Sequence, residues 1–189
     1  MKNVHVAGSE RFSKLSNVVA TLLHIGMVNI GSDNEELRVA SYELLCSVCT
    51  YLDFEGKPVV PTKGKQCILC YHSASDGGIS AIFVPGRASQ FVAQLSEKLA
   101  VFAPQLTLDF VTEVATGMSK ASVAQRISLL QYMSPWIRNL SQFTDPVNPL
   151  FEHSGAKVRD CIRALIELTV TDQEVSSCNH ARDKCSPIS

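Results

Sequence analysis

The sequence of 189 residues has no excess of charge of either sign and no long run of apolar residues. Seventeen Lys and Arg residues face eighteen Asp and Glu residues, without a basic stripe or an acidic tail, which argues against a nucleic-acid partner. No window approaches the roughly 18 apolar residues that a membrane span needs, and the start of the chain lacks the apolar core of a secretion signal. The sequence therefore predicts a cytoplasmic chain without direct membrane insertion.

The short motifs of common enzyme classes are also missing. The chain has no Gly-x-Ser-x-Gly element, no His-Glu-x-x-His motif and no Gly-rich loop ending in Lys-Ser or Lys-Thr. His24 lies among apolar residues of a predicted helix, which favours a hydrogen-bonded structural role over a catalytic one. Trp136, the single tryptophan, is predicted to be a packing anchor, with a binding hot spot as the alternative. The sequence predicts no catalytic residue, no cofactor-binding residue and no cofactor.

Apolar residues recur at helical spacing over most of the chain and predict an all-α fold. Helices are predicted to start near residues 17, 34, 89, 107, 122 and 156, as three pairs. Hydroxyl residues followed three positions later by Glu or Gln predict capping boxes at Ser32 with Glu35 and at Ser122 with Gln125. The apolar positions expected for the last two main helices are Val123, Ile127, Leu130 and Met133, then Val158, Cys161, Ile162, Leu165 and Ile166.

Three segments interrupt or flank this pattern. Residues 1–15 form a predicted N-terminal extension, residues 53–88 form a long irregular loop rich in Gly and Pro, and residues 175–189 form a predicted disordered tail. The helical part accordingly spans residues 16–174. Within it, Ser134 before Pro135 predicts the start of a further short helix, because proline is tolerated in a first helical turn.

The predicted helices form pairs joined by turns, which is the unit of an α-solenoid of the HEAT or armadillo kind. We therefore predict an all-α, HEAT/armadillo-like solenoid fragment of about three helix pairs with one long irregular loop. No strict sequence period links the pairs, so a compact helical bundle is the alternative.

The cysteines raise the possibility of a zinc module. Cys46-x-x-Cys49 and Cys67-x-x-Cys70 are separated by seventeen residues, a spacing typical of sites that hold Zn²⁺ with four thiolates. However, the first pair lies inside a predicted helix without the Gly or Pro of a zinc knuckle, so buried packing is the preferred interpretation and zinc binding the alternative. Other potential ligands lie in the predicted tail, which offers no scaffold: Cys178, His180 and Cys185.

Four strings follow one another along the chain: LLHIGMVNIGSDNEELRVASYELLCSVC, QLSEKLAVFAPQLTLDFVTEV, GMSKASVAQRISLLQYMSPWIRNLSQF and RDCIRALIELTVTDQE. In this order they resemble neurofibromin and the yeast-type inhibitory regulators of Ras. The resemblance covers residues 16–174 apart from the loop and corresponds to the helical-repeat region that follows the family's lipid-binding module. It does not include the GTPase-activating domain. Residues 65–80 and those after Glu174 have no counterpart in the family, which predicts a fragmentary gene model or splice form.

The resemblance implies a non-catalytic scaffold segment of a negative regulator of Ras. A GTPase-activating domain acts through an arginine finger, and no arginine of the helical part has the family's finger-loop context: Arg38, Arg87, Arg126, Arg138, Arg159 and Arg163. The expected partners are the remainder of a larger chain or a second copy, with Ras engaged only indirectly.

Overall fold

The computed structural model describes residues 4–54, 87–152 and 154–183, with side chains described over 15–54, 88–152 and 154–169. These residues form six α-helices and no β-strand, which confirms the predicted all-α class. The helices are α1 (Val4–Asn29), α2 (Glu35–Tyr51), α3 (Arg87–Phe102), α4 (Thr107–Met118), α5 (Val123–Arg138) and α6 (Gly155–Asp183). Two short 3-10 helices, Pro104–Leu106 and Asn139–Phe143, precede α4 and follow α5.

The start of α2 is capped by Asn34 and not by the predicted Ser32. The side-chain oxygen of Asn34 accepts a hydrogen bond from the backbone N–H of Leu37 at 3.1 Å. Ser32 Oγ instead accepts a hydrogen bond from the N–H of Asn34 at 3.2 Å. The predicted capping box of Ser32 and Glu35 is therefore wrong, because the asparagine occupies the position from which a side-chain oxygen reaches the third N–H of the helix.

The start of α5 confirms the second predicted capping box. Ser122 Oγ accepts a hydrogen bond from the N–H of Gln125, and the Gln125 side chain accepts one from the N–H of Ser122. The helix then continues through Pro135, so the prediction of a new helix at this proline is wrong. Proline deletes the one N–H that would bond to the carbonyl of Gln131, and Gln131 is exposed, so water can replace that bond.

Helical structure also extends beyond the predicted limits of the repeat segment. α1 begins at Val4, inside the predicted extension of residues 1–15, and α6 continues to Asp183, inside the predicted tail of residues 175–189. Both extensions lack proline, so each backbone N–H can bond to the carbonyl four residues earlier. The prediction of a disordered tail is thus wrong for residues 175–183, whereas the predicted extension carried no assignment of secondary structure. Residues 55–86 of the predicted loop and residues 184–189 lie outside the described residues.

α4 lies at the centre of the described helices and contacts α1, α5 and α6. Seven of its twelve residues are buried: Thr107, Leu108, Phe110, Val111, Val114, Ala115 and Met118. α3 packs against α5, whereas α2 packs mainly on α1 and α6 mainly on α4. The hydrophobic core therefore surrounds α4, and the outer helices each bury one side against it or against a direct neighbour.

Aromatic rings connect α4 to α5 in this core. The ring centroid of Phe110 lies 4.6 Å from that of Trp136 and 6.1 Å from that of Tyr132. Trp136 is fully buried, which confirms its predicted role as a packing anchor. Aromatic pairs of this kind stabilise a core by about 0.5–1.5 kcal/mol each beyond the area they bury.

A lysine joins three helices at the start of α6. Lys157 Nζ donates hydrogen bonds to Asp109 Oδ2 of α4 at 2.7 Å and to Ser16 Oγ of α1 at 2.8 Å. The Asp109 side chain is only 13% exposed, so solvent screens this ion pair less than the surface pair of Arg163 and Asp160. The contact fixes α6 relative to both α1 and α4.

Gly26 allows α1 to approach α2 closely. A Cβ atom at this position would lie 2.7 Å from Cγ and Cδ2 of Leu45 and 3.3 Å from the carbonyl oxygen of Ser41. Leu45 is completely buried, so it can make room only by displacing other side chains of the core. Glycine therefore lowers the helix propensity of α1 at this position but allows α1 and α2 to pack closely.

We predict that Gly26→Ala lowers the free energy of unfolding by about 1 kcal/mol, because overpacking costs about 1–3 kcal/mol and the gain in helix propensity is about 1 kcal/mol at most. Urea unfolding followed by the fluorescence of the buried Trp136 measures the change. The matched control is Gly31→Ala, where a Cβ atom meets nothing within 4 Å. It should change stability by less than about 0.5 kcal/mol. Equal stability of the two variants would contradict the steric argument.

Candidate functional site

A cleft of about 470 Å³ lies between the C-terminal end of α1, the start of α3 and one face of α5. Its polar lining consists mainly of neutral amides and hydroxyls, together with one carboxylate: Asn29, Ser32, Ser89, Gln125, Ser128, Gln131, Tyr132 and Asp33. Ile30, Val92 and Leu129 supply buried apolar surface. A cleft of this composition can donate hydrogen bonds to a small polar ligand, but the described lining does not pair a nucleophile with a general base.

His24 joins α1, α4 and α5 beside this cleft. Its Nδ1 lies 3.0 Å from the hydroxyl oxygen of Tyr132, within hydrogen-bond distance. Its Nε2 faces α4 at Gly117, where a Cβ atom would lie only 2.6 Å from that nitrogen. The structure therefore places His24 in a hydrogen-bonded junction of three helices, as expected for a structural histidine.

Burial shifts both groups of this pair away from charge at neutral pH. Desolvation lowers the pKa of His24 from its ordinary value of 6.5. Desolvation also raises the pKa of Tyr132 far above its ordinary value. The hydrogen bond therefore joins a neutral imidazole and a neutral phenol, and neither group is adjusted toward the pKa near 7 that a general acid or base needs.

Ser96 forms a second buried polar contact that the sequence analysis missed. Its hydroxyl donates a hydrogen bond to the carbonyl oxygen of Tyr132 and accepts one from Trp136 Nε1 at 2.7 Å. The signal available in the sequence was a serine beside the apolar positions Val92, Leu95 and Leu99 of α3. The contact satisfies the indole N–H of a buried tryptophan and so stabilises the α3–α5 interface.

The structure tests only half of the predicted cysteine set. In α2, Cys49 is buried in the hydrophobic core and Cys46 is half-buried. Cys67 and Cys70 lie outside the described residues. Within the described ranges, no three His, Cys, Asp or Glu side chains are close enough to share a metal ion. Zinc binding by the four cysteines remains an untested alternative. Cys161 is buried against α4, as predicted, and burial raises the pKa of its thiol.

Several arginines that were considered as possible fingers bond to their own chain. The Arg38 guanidinium donates to the carbonyl oxygens of Ser32 and Asp33 at 2.8 and 2.9 Å, and so stabilises the turn before α2. Arg126 Nε donates to the carbonyl oxygen of Ala121 at 3.1 Å, beside the start of α5. These arginines therefore hold local turns. Arg138, Arg159 and Arg163 are exposed, and the side chain of Arg87 is not among those described.

Apolar side chains lie on the outer surfaces of several helices, including α1, α5 and α6. On α5, four exposed residues form one stripe, which we call the α5 stripe: Val123, Ile127, Leu130 and Ile137. Corresponding exposed positions are Leu15, Val18, Ile25 and Val28 on α1, and Ile162 and Ile166 on α6. The sequence analysis predicted Val123, Ile127, Leu130 and Met133 as apolar positions of this helix, whereas its buried residues are Leu129, Tyr132, Met133 and Trp136. Apolar residues clustered on one exposed helix face are typical of interaction surfaces.

No family model matches the chain. In the part of the chain that the structure describes, no helix is both long enough and apolar enough to cross a lipid bilayer. The geometric features that bear on function are therefore the small polar cleft, the neutral His24–Tyr132 junction and the exposed apolar faces. The exposed faces carry ten apolar side chains on α1, α5 and α6.

The His24 junction predicts a specific dependence of stability on pH. Because its pKa is lowered in the folded chain, the unfolded chain binds more protons as the pH falls through 6.5 toward the folded-state pKa, and stability decreases over that window. We expect the wild type to have a higher melting temperature than His24→Gln near neutral pH. The difference between the two melting temperatures should become smaller as the pH falls.

Tyr132→Phe is the matched control for this measurement. It removes the hydroxyl bonded to His24 but leaves the imidazole buried and titratable. Its melting temperature should therefore fall with pH as that of the wild type does. A difference between wild type and His24→Gln that stays constant from neutral to acidic pH would show that His24 does not titrate with a lowered pKa.

Proposed function

We propose that this chain is a non-catalytic helical scaffold segment of a neurofibromin-type negative regulator of Ras, organised as a HEAT/armadillo-like α-solenoid fragment. The observation that carries the scaffold role is the set of exposed apolar faces on α1, α5 and α6. In a solenoid, each helix pair completes the burial of its apolar surface only by packing against neighbouring pairs. The family assignment is supported by the four sequence strings that resemble the helical-repeat region of those regulators.

The contacts between helices support a two-layer arrangement. α4 contacts both α1 and α6, which is expected if these three helices follow one another in one layer. α3 contacts α5, and the ring of Tyr42 in α2 lies 6.0 Å from that of Phe91 in α3, which is expected if α2, α3 and α5 form the other. Contacts of α1 with α2 and of α4 with α5 then join the layers. A compact bundle around α4 is the competing interpretation of the same contacts.

The outer face of α6 gives the first test of the scaffold role. Two exposed isoleucines, Ile162 and Ile166, are 50% and 56% exposed, so aspartate at these positions should not disturb the core. The binding partner in this test is the purified helical segment that follows this region in the family. We expect Ile162→Asp combined with Ile166→Asp to weaken binding to this segment by more than about tenfold, because burying each isoleucine contributes about 1.5–3 kcal/mol. Titration calorimetry measures the affinity.

Val147→Asp is the control for that experiment, because Val147 is 89% exposed and lies in the loop between α5 and α6. It should bind the segment with wild-type affinity. Circular dichroism establishes that all variants keep the same helical content. If the wild type does not bind the segment, or if the double variant binds as tightly as the wild type, the proposed packing through α6 is wrong.

The second test concerns the proposal that the chain is non-catalytic. Added to GTP-loaded Ras, the purified chain should leave the single-turnover rate of hydrolysis at its intrinsic value. An arginine finger accelerates this reaction on the order of 10³ to 10⁵-fold, so even an impaired activating domain is detectable. An acceleration of about tenfold that disappears when one exposed arginine, such as Arg159, is changed to alanine would show that the chain is an enzyme.

A further inference from the structure

The outward faces of α5 and α2 carry charge of opposite sign. Residues 119–143, which contain α5, include Lys120, Arg126 and Arg138 but no Asp or Glu. Residues 32–53, which contain α2, include one basic residue, Arg38, and five acidic ones: Asp33, Glu35, Glu36, Glu43 and Asp53. The nearly neutral net charge of the chain therefore conceals a basic helix and an acidic helix.

The α5 stripe has the spacing of a coiled-coil seam. Its residues are separated by four, three and seven positions, which correspond to alternating d and a positions of a heptad, with the exposed Ser134 at the remaining a position. Val123 is 78% exposed and Ile127 is 57% exposed, so this seam is not covered by the described helices. Arg126 and Arg138 flank it at positions g and e, where coiled coils place their pairing charges.

α2 carries a second seam with the same spacing, which we call the α2 stripe: Leu37, Ala40, Leu44 and Tyr51, with the exposed Ser47 at the remaining d position. Leu37 is 41% exposed and Tyr51 is 50% exposed. Glu36 and Glu43 both fall at position g beside this stripe and are exposed. The buried side of α2, with Tyr42 and Leu45, faces α1 and the core instead.

The two stripes match in length as well as in charge. Each spans fifteen residues, from Val123 to Ile137 and from Leu37 to Tyr51, and the fourteen steps between the ends correspond to about 21 Å of helix. Each also carries a single serine among its apolar positions. Within one copy both helices are already fixed by their buried faces, α5 against α3 and α4 and α2 against α1. A second copy can therefore supply the complementary stripe.

We propose that the α5 stripe of one copy binds the α2 stripe of another copy, as two helices that pack with heptad contacts, one flanked by basic residues and the other by acidic residues. This inference deepens the proposed scaffold function by naming a second copy of the chain as a partner, and it rests on that function only to this extent. Because the interface joins two different faces, two copies joined by one such interface still have one unoccupied α5 stripe and one unoccupied α2 stripe. Association should weaken as salt is added, since exposed charge pairs are screened.

Charge reversal tests the pairing in the full chain. One variant reverses basic charges at the two ends of the α5 segment, with Lys120→Glu and Arg138→Glu, and another reverses acidic charges of α2, with Glu36→Lys and Glu43→Lys; all four residues are exposed. In sedimentation velocity under reducing conditions, each variant alone should self-associate at least about fivefold more weakly than the wild type, because like charges then meet across the interface. Glu152→Lys, an exposed change outside both helices, should behave as the wild type.

Mixing the two variants gives the deciding result. The acidic residues of α2 in the first variant and the basic residues of the α5 segment in the second are unchanged, so an equimolar mixture should associate about as strongly as the wild type. If the copies associated only through exposed apolar surface, mixing the two variants would not strengthen their association. A wild type that stays monomeric up to hundreds of micromolar, or a mixture that associates no better than its components, would overturn the proposal.

Two further outcomes are informative. The wild type could instead be monomeric and bind vesicles that contain phosphatidylserine. If the variant with Lys120→Glu and Arg138→Glu abolishes this binding, the α5 stripe is a membrane-docking face and the proposal is wrong. If the mixing experiment fails while the Ile162 and Ile166 variant still loses binding to the following helical segment, this inference fails and the scaffold function stands.

Discussion

The burial of α4 is the constraint on which the positions of the other described helices depend. Seven of its twelve residues are buried and Thr116 alone of the twelve is exposed, so it requires partners on several sides, which α1, α5 and α6 provide. Phe110 illustrates the effect, because its ring is completely buried and packs against Tyr132 and Trp136 of α5. Once α4 is surrounded, each outer helix has one side committed to the core and another side facing outward. The exposed apolar faces are therefore a consequence of building the core around one short central helix.

The close approach of the helices also explains why the buried polar groups are structural. Gly26 and Gly117 leave space for Leu45 and for the imidazole of His24, and a side chain at either glycine would separate the helices. At the resulting junctions, His24 pairs with Tyr132, and Ser96 bonds to Trp136. Burial favours the neutral forms of His24 and Tyr132. The hydrogen bonds thus satisfy groups that packing has removed from water, and they determine how α1 and α3 fit against α5.

The outward surfaces support a role in assembly more strongly than a role in chemistry. The cleft between α1, α3 and α5 presents mostly neutral amides and hydroxyls. By contrast, the α5 and α2 stripes combine heptad spacing, similar length and opposite charge of the segments that carry them. These are the properties from which helix pairing derives both affinity and choice of partner, since apolar contacts supply the former and edge charges restrict the latter.

The sequence by itself determined the helical class, most helix positions and the α5 capping box, because hydrophobic period and Ser122-to-Gln125 spacing are local properties of the chain. It did not decide between Ser32 and Asn34 as the cap of α2, because both side chains offer an oxygen near the same N–H groups and the turn geometry selects one. Nor did it reveal that Ile127 and Leu130 face outward while Leu129 is buried. Periodicity identifies the apolar positions of a helix, but α5 has more apolar residues than one neighbour can cover. Only the tertiary packing of α3 and α4 against α5 decided which of its faces became core and which remained exposed.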